Sequence, residues 1–164
     1  MVYPKAFSHI GISVPDIEKA VKWYSEVVGL NILMGPTKND GDETHIGKLN
    51  KGVFGDKFYK SKVAHLSTSN GIGIELFEFI EPKFEKRENN FEYWKCGTFH
   101  FCLVDPDIKE TLKTIEANGG KARSQICSLF PDKPYKMVYC EDPFGNRFEI
   151  YTHSYEQFFS NQTY

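Results

Sequence analysis

The chain has 164 residues, of which 40% are hydrophobic and 26% charged, with a net charge of −2. That is enough apolar material for a core, and the length suits one domain or two small fused modules. No Lys/Arg run accompanies the pI of about 6.2, which argues against a nucleic-acid partner, and no apolar run nears the roughly 20 residues that span a bilayer.

The four cysteines, Cys96, Cys102, Cys127 and Cys140, form no C-x-x-C pair. The opening Met1-Val2-Tyr3-Pro4-Lys5-Ala6 lacks an apolar leader segment, so a cytoplasmic protein with free thiols is expected.

Residues 5–14 alternate, with His9, Gly11 and Ser13 on one face and Ile10, Ile12 and Val14 on the other, the pattern of a half-buried strand. Asp16 is placed to cap a helix over about 17–28, with Ile17, Ala20, Val21, Tyr24 and Val28 as its apolar stripe and Gly29 as its stop. Leu30–Met34 reads as the next strand. Residues 35–60 are polar and glycine-rich and read as a long loop, of the kind that is usually functional. Strands are expected over about 62–68 and 72–80, joined by Ser69-Asn70-Gly71. A charged connector, 81–96, leads into a strand at about 98–104. A helix capped by Asp107 follows, with Glu110 completing a capping box, and Asn118-Gly119-Gly120 ends it. Further strands are expected near 121–126, 136–141 and 146–152, the last two joined by Asp142-Pro143-Phe144-Gly145-Asn146. Tyr155–Phe159 reads as a short terminal helix.

The two halves repeat each other. His9 and His100 are each followed by Pro, Asp and Ile at +6, +7 and +8 and by Gly at +20. Ile74-Glu75-Leu76 matches Phe148-Glu149-Ile150 at an offset of 74, an offset shared by Gly71 and Gly145. The histidines are offset by 91, so 17 extra residues lie between Gly29 and Glu75, where the long loop falls.

Strand parity puts His9, Glu75, His100 and Glu149 on the faces opposite the helix-packing residues. A glutamate between apolar strand neighbours is costly if buried without a partner. Imidazole nitrogens and carboxylate oxygens facing one cavity suit a divalent metal, with Zn, Ni, Co, Mn and Fe all open by ligand type.

Over about 5–153 the chain resembles the vicinal oxygen chelate (VOC) superfamily and, within it, glyoxalase I (lactoylglutathione lyase). The segment Glu141-Asp142-Pro143-Phe144-Gly145-Asn146-Arg147-Phe148-Glu149-Ile150 is the most specific match. The resemblance implies an α+β fold of two tandem βαβββ modules, the glyoxalase/bleomycin resistance/dioxygenase-like fold, curling around a metal cavity. It implies a single domain over 1–164, with module one at 5–80 and module two at 97–153. It also implies that His9, Glu75, His100 and Glu149 bind one divalent cation and that the partner is a small-molecule substrate, most often in a homodimer. The reaction implied converts a 2-oxoaldehyde hemithioacetal into a thioester through an enediolate, with Glu149 or Glu75 shuttling the proton.

Two positions depart from the lyase pattern. Ser13 and Phe79 stand where bacterial glyoxalase I tends to carry an arginine and an asparagine that hold glutathione. Phe77 and Phe79 share the face of Glu75 and point to a more apolar wall. Alternative readings are an epimerase, which commonly has glutamine in place of Glu75, an extradiol dioxygenase, a thiol transferase, or a ligand-sequestering binding protein.

Weaker candidates surround the four. His65 and Tyr139 each lie ten residues before a glutamate, as substrate contacts or sheet-packing residues. Arg147 and Tyr151 are candidates for an anionic substrate group, Phe54, Phe58 and Tyr59 for a lid, and His153 for a rim contact. His45 reads as solvated and Cys102 as a packing residue without an adjacent base.

Overall fold

The computed structural model describes residues 2–88 and 91–160. The chain separates into two compact units, 1–85 and 86–164, each built from the strand, helix and strands that the sequence repeats.

In the first unit, β1 (His9–Ser13) leads into α1 (Ile17–Glu26), followed by β2 (Asn31–Asp40), α2 (His45–Phe54), β3 (Lys60–Ser67) and β4 (Gly73–Glu81). The sheet order is β1-β4-β3-β2, with β1 and β4 parallel and the other neighbours antiparallel. The alternation read in β1 holds: Ile12 and Val14 are buried while His9, Gly11 and Ser13 are exposed. The Asp16 side chain accepts from Lys19 N at 3.1 Å, closing the first turn of α1 as expected. Ile17, Ala20, Val21, Trp23 and Tyr24 are the buried face of the helix, which packs on β2, β3 and β4. Glu78 also points to this side, accepting from Ile17 N at 3.0 Å and pairing with Lys62 at 3.3 Å.

The long loop expected over 35–60 is not there. β2 runs on to Asp40, and α2 occupies much of the remainder. Thr44 caps α2 through Gly47 N at 3.0 Å. The helix is pinned by a buried relay in which Asn50 donates to Asn39 at 2.8 Å and Asn39 donates to Ser61 at 3.2 Å. Gly47, a reason to read a loop, is what lets α2 start here, because a Cβ at that position would collide with Asp42. His45 is exposed at the first turn, as expected.

The second unit contains β5 (Phe101–Val104), α3 (Ile108–Ala117), β6 (Lys121–Ala122), β7 (Cys127–Ser128), β8 (Lys136–Glu141), β9 (Arg147–Tyr151) and α4 (Tyr155–Phe159). Its order is β5-β9-β8-β6, with β7 also on β8, and β5 runs parallel to β9. The strand expected near 121–126 is instead two short pieces that pair with the two ends of β8. Asp107 caps α3 through Glu110 N at 3.4 Å, but Glu110 turns to Lys113 at 3.0 Å, so no capping box is recorded. Gly119 takes φ +83 at the helix end, where a side chain would be strained. The terminal helix is present, with a full capping box between Ser154 and Gln157. Among the described residues, no helix is long and apolar enough to cross a membrane.

Candidate metal-binding half-sites

Each unit pairs one histidine with one glutamate, and it does so in the same register. Glu75 on β4 lies across from Gly11, two residues after His9, on one side and from His65 on the other. Glu149 on β9 lies across from Cys102, two residues after His100, and from Tyr139. The repeat read from the sequence is therefore also a repeat of strand pairing.

In the first unit His9 Nε2 stands 3.6 Å from Glu75 Oε2, while His65 Nδ1 stands 3.4 Å from Glu75 Oε1. One carboxylate thus faces two imidazoles. The group is open, with the His9 side chain 54% and the Glu75 side chain 27% exposed.

In the second unit His100 Nε2 lies 3.1 Å from Glu149 Oε2, and Glu149 is only 4% exposed. His100 sits just ahead of β5 rather than within it. Its ring is held edge-on between Phe99, at 4.5 Å, and Tyr139, at 5.4 Å. Its Nδ1 is buried without a hydrogen-bond partner. The Tyr139 phenol is kept protonated well above its usual range, first by desolvation and then by its hydrogen bond to the Glu149 carboxylate. Burial and the nearby Glu149 charge push the Cys102 thiol up to about 12. A thiol so poor in thiolate is no nucleophile at neutral pH, as expected, but Cys102 is exposed rather than the packing residue that the sequence suggests.

The donor chemistry fits a divalent cation. Two ligands each about 2.1 Å from one ion, at angles near 90–110°, stand roughly 3.0–3.4 Å apart, close to the observed His–Glu separations. Among the described residues no three His, Cys, Asp or Glu side chains are drawn together tightly enough to hold an ion. The first unit sets His9 and His65 about one carboxylate, and the second pairs His100 with Glu149.

The remaining candidates resolve differently. Arg147 is turned inward, its Nε 3.2 Å from Glu141 Oε2 and its guanidinium 4.6 Å over the Phe91 ring, so it braces the fold. Tyr151 stacks on Phe158 of α4 at 4.3 Å, in a cluster with Met137. His153 lies against Tyr135 at 4.7 Å and contacts the Thr152 hydroxyl at 2.8 Å. Phe54 and Phe58 pack on each other at 4.9 Å, and Phe54 also meets Phe77 and Phe79 at 5.9 and 5.5 Å, so they belong to a wall. Tyr59 stays exposed. The bracing role of Phe91 was missed, because its segment reads only as a charged connector.

Residues 6–150 match the sequence profile of the Glyoxalase/Bleomycin resistance protein/Dioxygenase superfamily. The chain belongs to this superfamily. A similar protein, the 2-epi-5-epi-valiolone epimerase of an Actinomyces species, is 22% identical over 148 residues, covering 88% of this chain and 78% of that protein. The fold is shared with a glyoxalase family protein from Bacillus cereus, at a TM-score of 0.74 and 18% identity, covering 92% of this chain and 97% of that one. It is also shared with FosX, a genomically encoded fosfomycin resistance protein from Listeria monocytogenes solved with Mn(II) and sulfate. That superposition has a TM-score of 0.57 and 14% identity and covers 94% of this chain and 97% of that one.

Proposed function

We propose that this superfamily member is a metal-dependent enzyme that moves a proton at a carbon beside a carbonyl, with His9, Glu75, His100 and Glu149 as the ligands of one divalent cation. The observation that carries the reading is the His–Glu pair repeated in identical strand register in both units. The Mn(II) complex of the similar fosfomycin resistance protein supports the same kind of ion, and Zn, Ni, Co, Mn and Fe all suit these donors.

His9, Glu75, His100 and Glu149 would hold the cation, which would supply Lewis-acid polarisation of a substrate carbonyl. The proton work falls to the carboxylates. Glu149, held by Tyr139, takes the proton from the substrate carbon on one oxygen while the C–H electron pair moves toward the carbonyl oxygen; the carboxylic acid then returns the proton. Glu75 is the second, more exposed carboxylate. In an epimerisation it takes the place of Glu149 in the return step, delivering one proton to the opposite face while Glu149 keeps the one that it took.

The finer reading is glyoxalase I-type chemistry, in which a 2-oxoaldehyde hemithioacetal becomes a thioester. The Actinomyces epimerase favours a second reading with the same proton step and a different substrate, the epimerisation of a hydroxyketone. We also propose a homodimer in the cytoplasm, in keeping with four free thiols.

The test pairs metal analysis with two assays. Methylglyoxal and glutathione report lyase activity, and α-proton exchange of hydroxyketones in D2O, followed by NMR, reports epimerase activity. A protein that takes up no divalent metal and catalyses neither reaction refutes the proposal.

A further inference from the structure

The face that carries His9 and Glu75 continues along β1 and β4 into a cleft of about 320 Å³. Ser13, Phe54, Phe58 and Phe79 line it, and Lys57 and Lys83 stand at it beside Glu85. Phe79 lies four residues beyond Glu75 on the same strand face, as Ser13 lies beyond His9, so the cleft is roughly 13 Å from the donors. Phe77 lies between the two positions, 3.5 Å from where a Gly11 Cβ would be, and stacks on Phe79 at 5.7 Å. Phe54 meets both rings edge-on, and Phe58, 2% exposed, fills the space behind.

We propose that this cleft takes the apolar arm of the substrate, which makes the substrate an elongated small molecule with a ring-bearing body and an acidic far end. The inference rests on the proton-transfer reading for the reactive end, and on the cleft itself for the arm. The volume lies at the lower end of the range for ligand pockets and suits one ring system rather than a whole drug-sized molecule. Two lysines against one glutamate favour a carboxylate or other acid at the cleft. A peptide thiol fits less well, because its amides would lose water against Phe77 and Phe79 with the Ser13 hydroxyl as the one neutral polar side chain lining the cleft. Phe54 comes from α2, a helix without a counterpart in the element order of the second unit. The inserted residues thus supply the specificity wall for a single arm.

The experiment uses the full chain and isothermal titration with 2-naphthylacetate as an acidic ring probe, 2-naphthaleneethanol as its neutral counterpart, and S-methylglutathione. Expected is saturable binding of naphthylacetate, with or without metal, weakened about tenfold by Phe54→Ala. Lys83→Ala and Lys57→Ala should weaken the acid and leave the alcohol unchanged. Phe54 is partly exposed, so its truncation should fold, and unchanged Mn(II) affinity of the variant confirms an intact half-site. Binding of naphthylacetate that ignores all three substitutions, or tighter binding of S-methylglutathione, overturns the proposal. Naphthylacetate binding by a chain that takes up no metal supports the cleft while removing the metal reading, so the two fail separately.

Discussion

Replacing Tyr139 by phenylalanine tests how the two half-sites differ. Glu149 is 4% exposed, and water cannot stand in for the phenol that it loses. A hydrogen bond to a charged group is worth about 1.5–3 kcal/mol, and a buried carboxylate left short of a donor costs that amount or more. At roughly 2–4 °C per kcal/mol for a chain of this length, the metal-free protein should melt about 3–12 °C lower. The equivalent change in the first unit, His65→Gln, also removes a neighbour from a carboxylate. Glu75 is far more exposed, however, so water replaces the contact and the loss should stay below about 1 kcal/mol. Metal affinity should fall about 10–100-fold for Tyr139→Phe, as for other residues that orient a ligand. Urea denaturation in the presence of a chelator, followed by Mn(II) titration, measures both quantities. Equal losses in the two variants, or none for Tyr139→Phe, would show that burial does not set the strength of these contacts.

The turn before β9 gives a second expectation. Asp142 accepts from Phe144 N at 2.9 Å and Asn146 N at 2.7 Å, so Asp142→Ala should cost about 2–4 kcal/mol in urea denaturation. At the start of α1, Asp16→Ala should cost about 1 kcal/mol, whereas Asp16→Asn should keep the cap. The Asp16 carboxyl is held below its usual 3.8, first by its bond to the Lys19 side chain and then by the Lys19 backbone. Its contribution is therefore complete above that value and is lost as the pH falls through the folded-state pKa. Asp16→Asn should remove this part of the acid sensitivity when denaturation midpoints at pH 7 and pH 3 are compared. Cys102→Ser should leave metal uptake and any turnover within about twofold, because a thiol raised to about 12 contributes no thiolate at neutral pH. A large loss on that substitution would return Cys102 to the chemistry.

Local signals carried much of the architecture. The duplicated His-to-Gly spacing, the alternation in β1, the caps Asp16 and Asp107, and the turns at Gly71 and Gly145 are short-range features with one favoured backbone solution each, and all appear where the sequence places them. The same parity put each glutamate on the face away from α1 or α3. Misreadings came where a local rule met a distant partner. The glycines of 41–55 look like a loop until Asn39, Asn50 and Ser61 close a buried relay that holds α2 down. Arg147 looks available for an anion until Glu141 and Phe91 enclose it.

The residue types, their duplication and the strand face of His9, Glu75 and Glu149 were settled by the amino-acid order alone, because alternation and turn chemistry act over a few residues. Which neighbour each carboxylate meets was settled only by folding. His65 and Tyr139 reach Glu75 and Glu149 through antiparallel pairing of separate strands. That register, together with the burial that separates a solvated Glu75 from an enclosed Glu149, depends on contacts between distant parts of the chain.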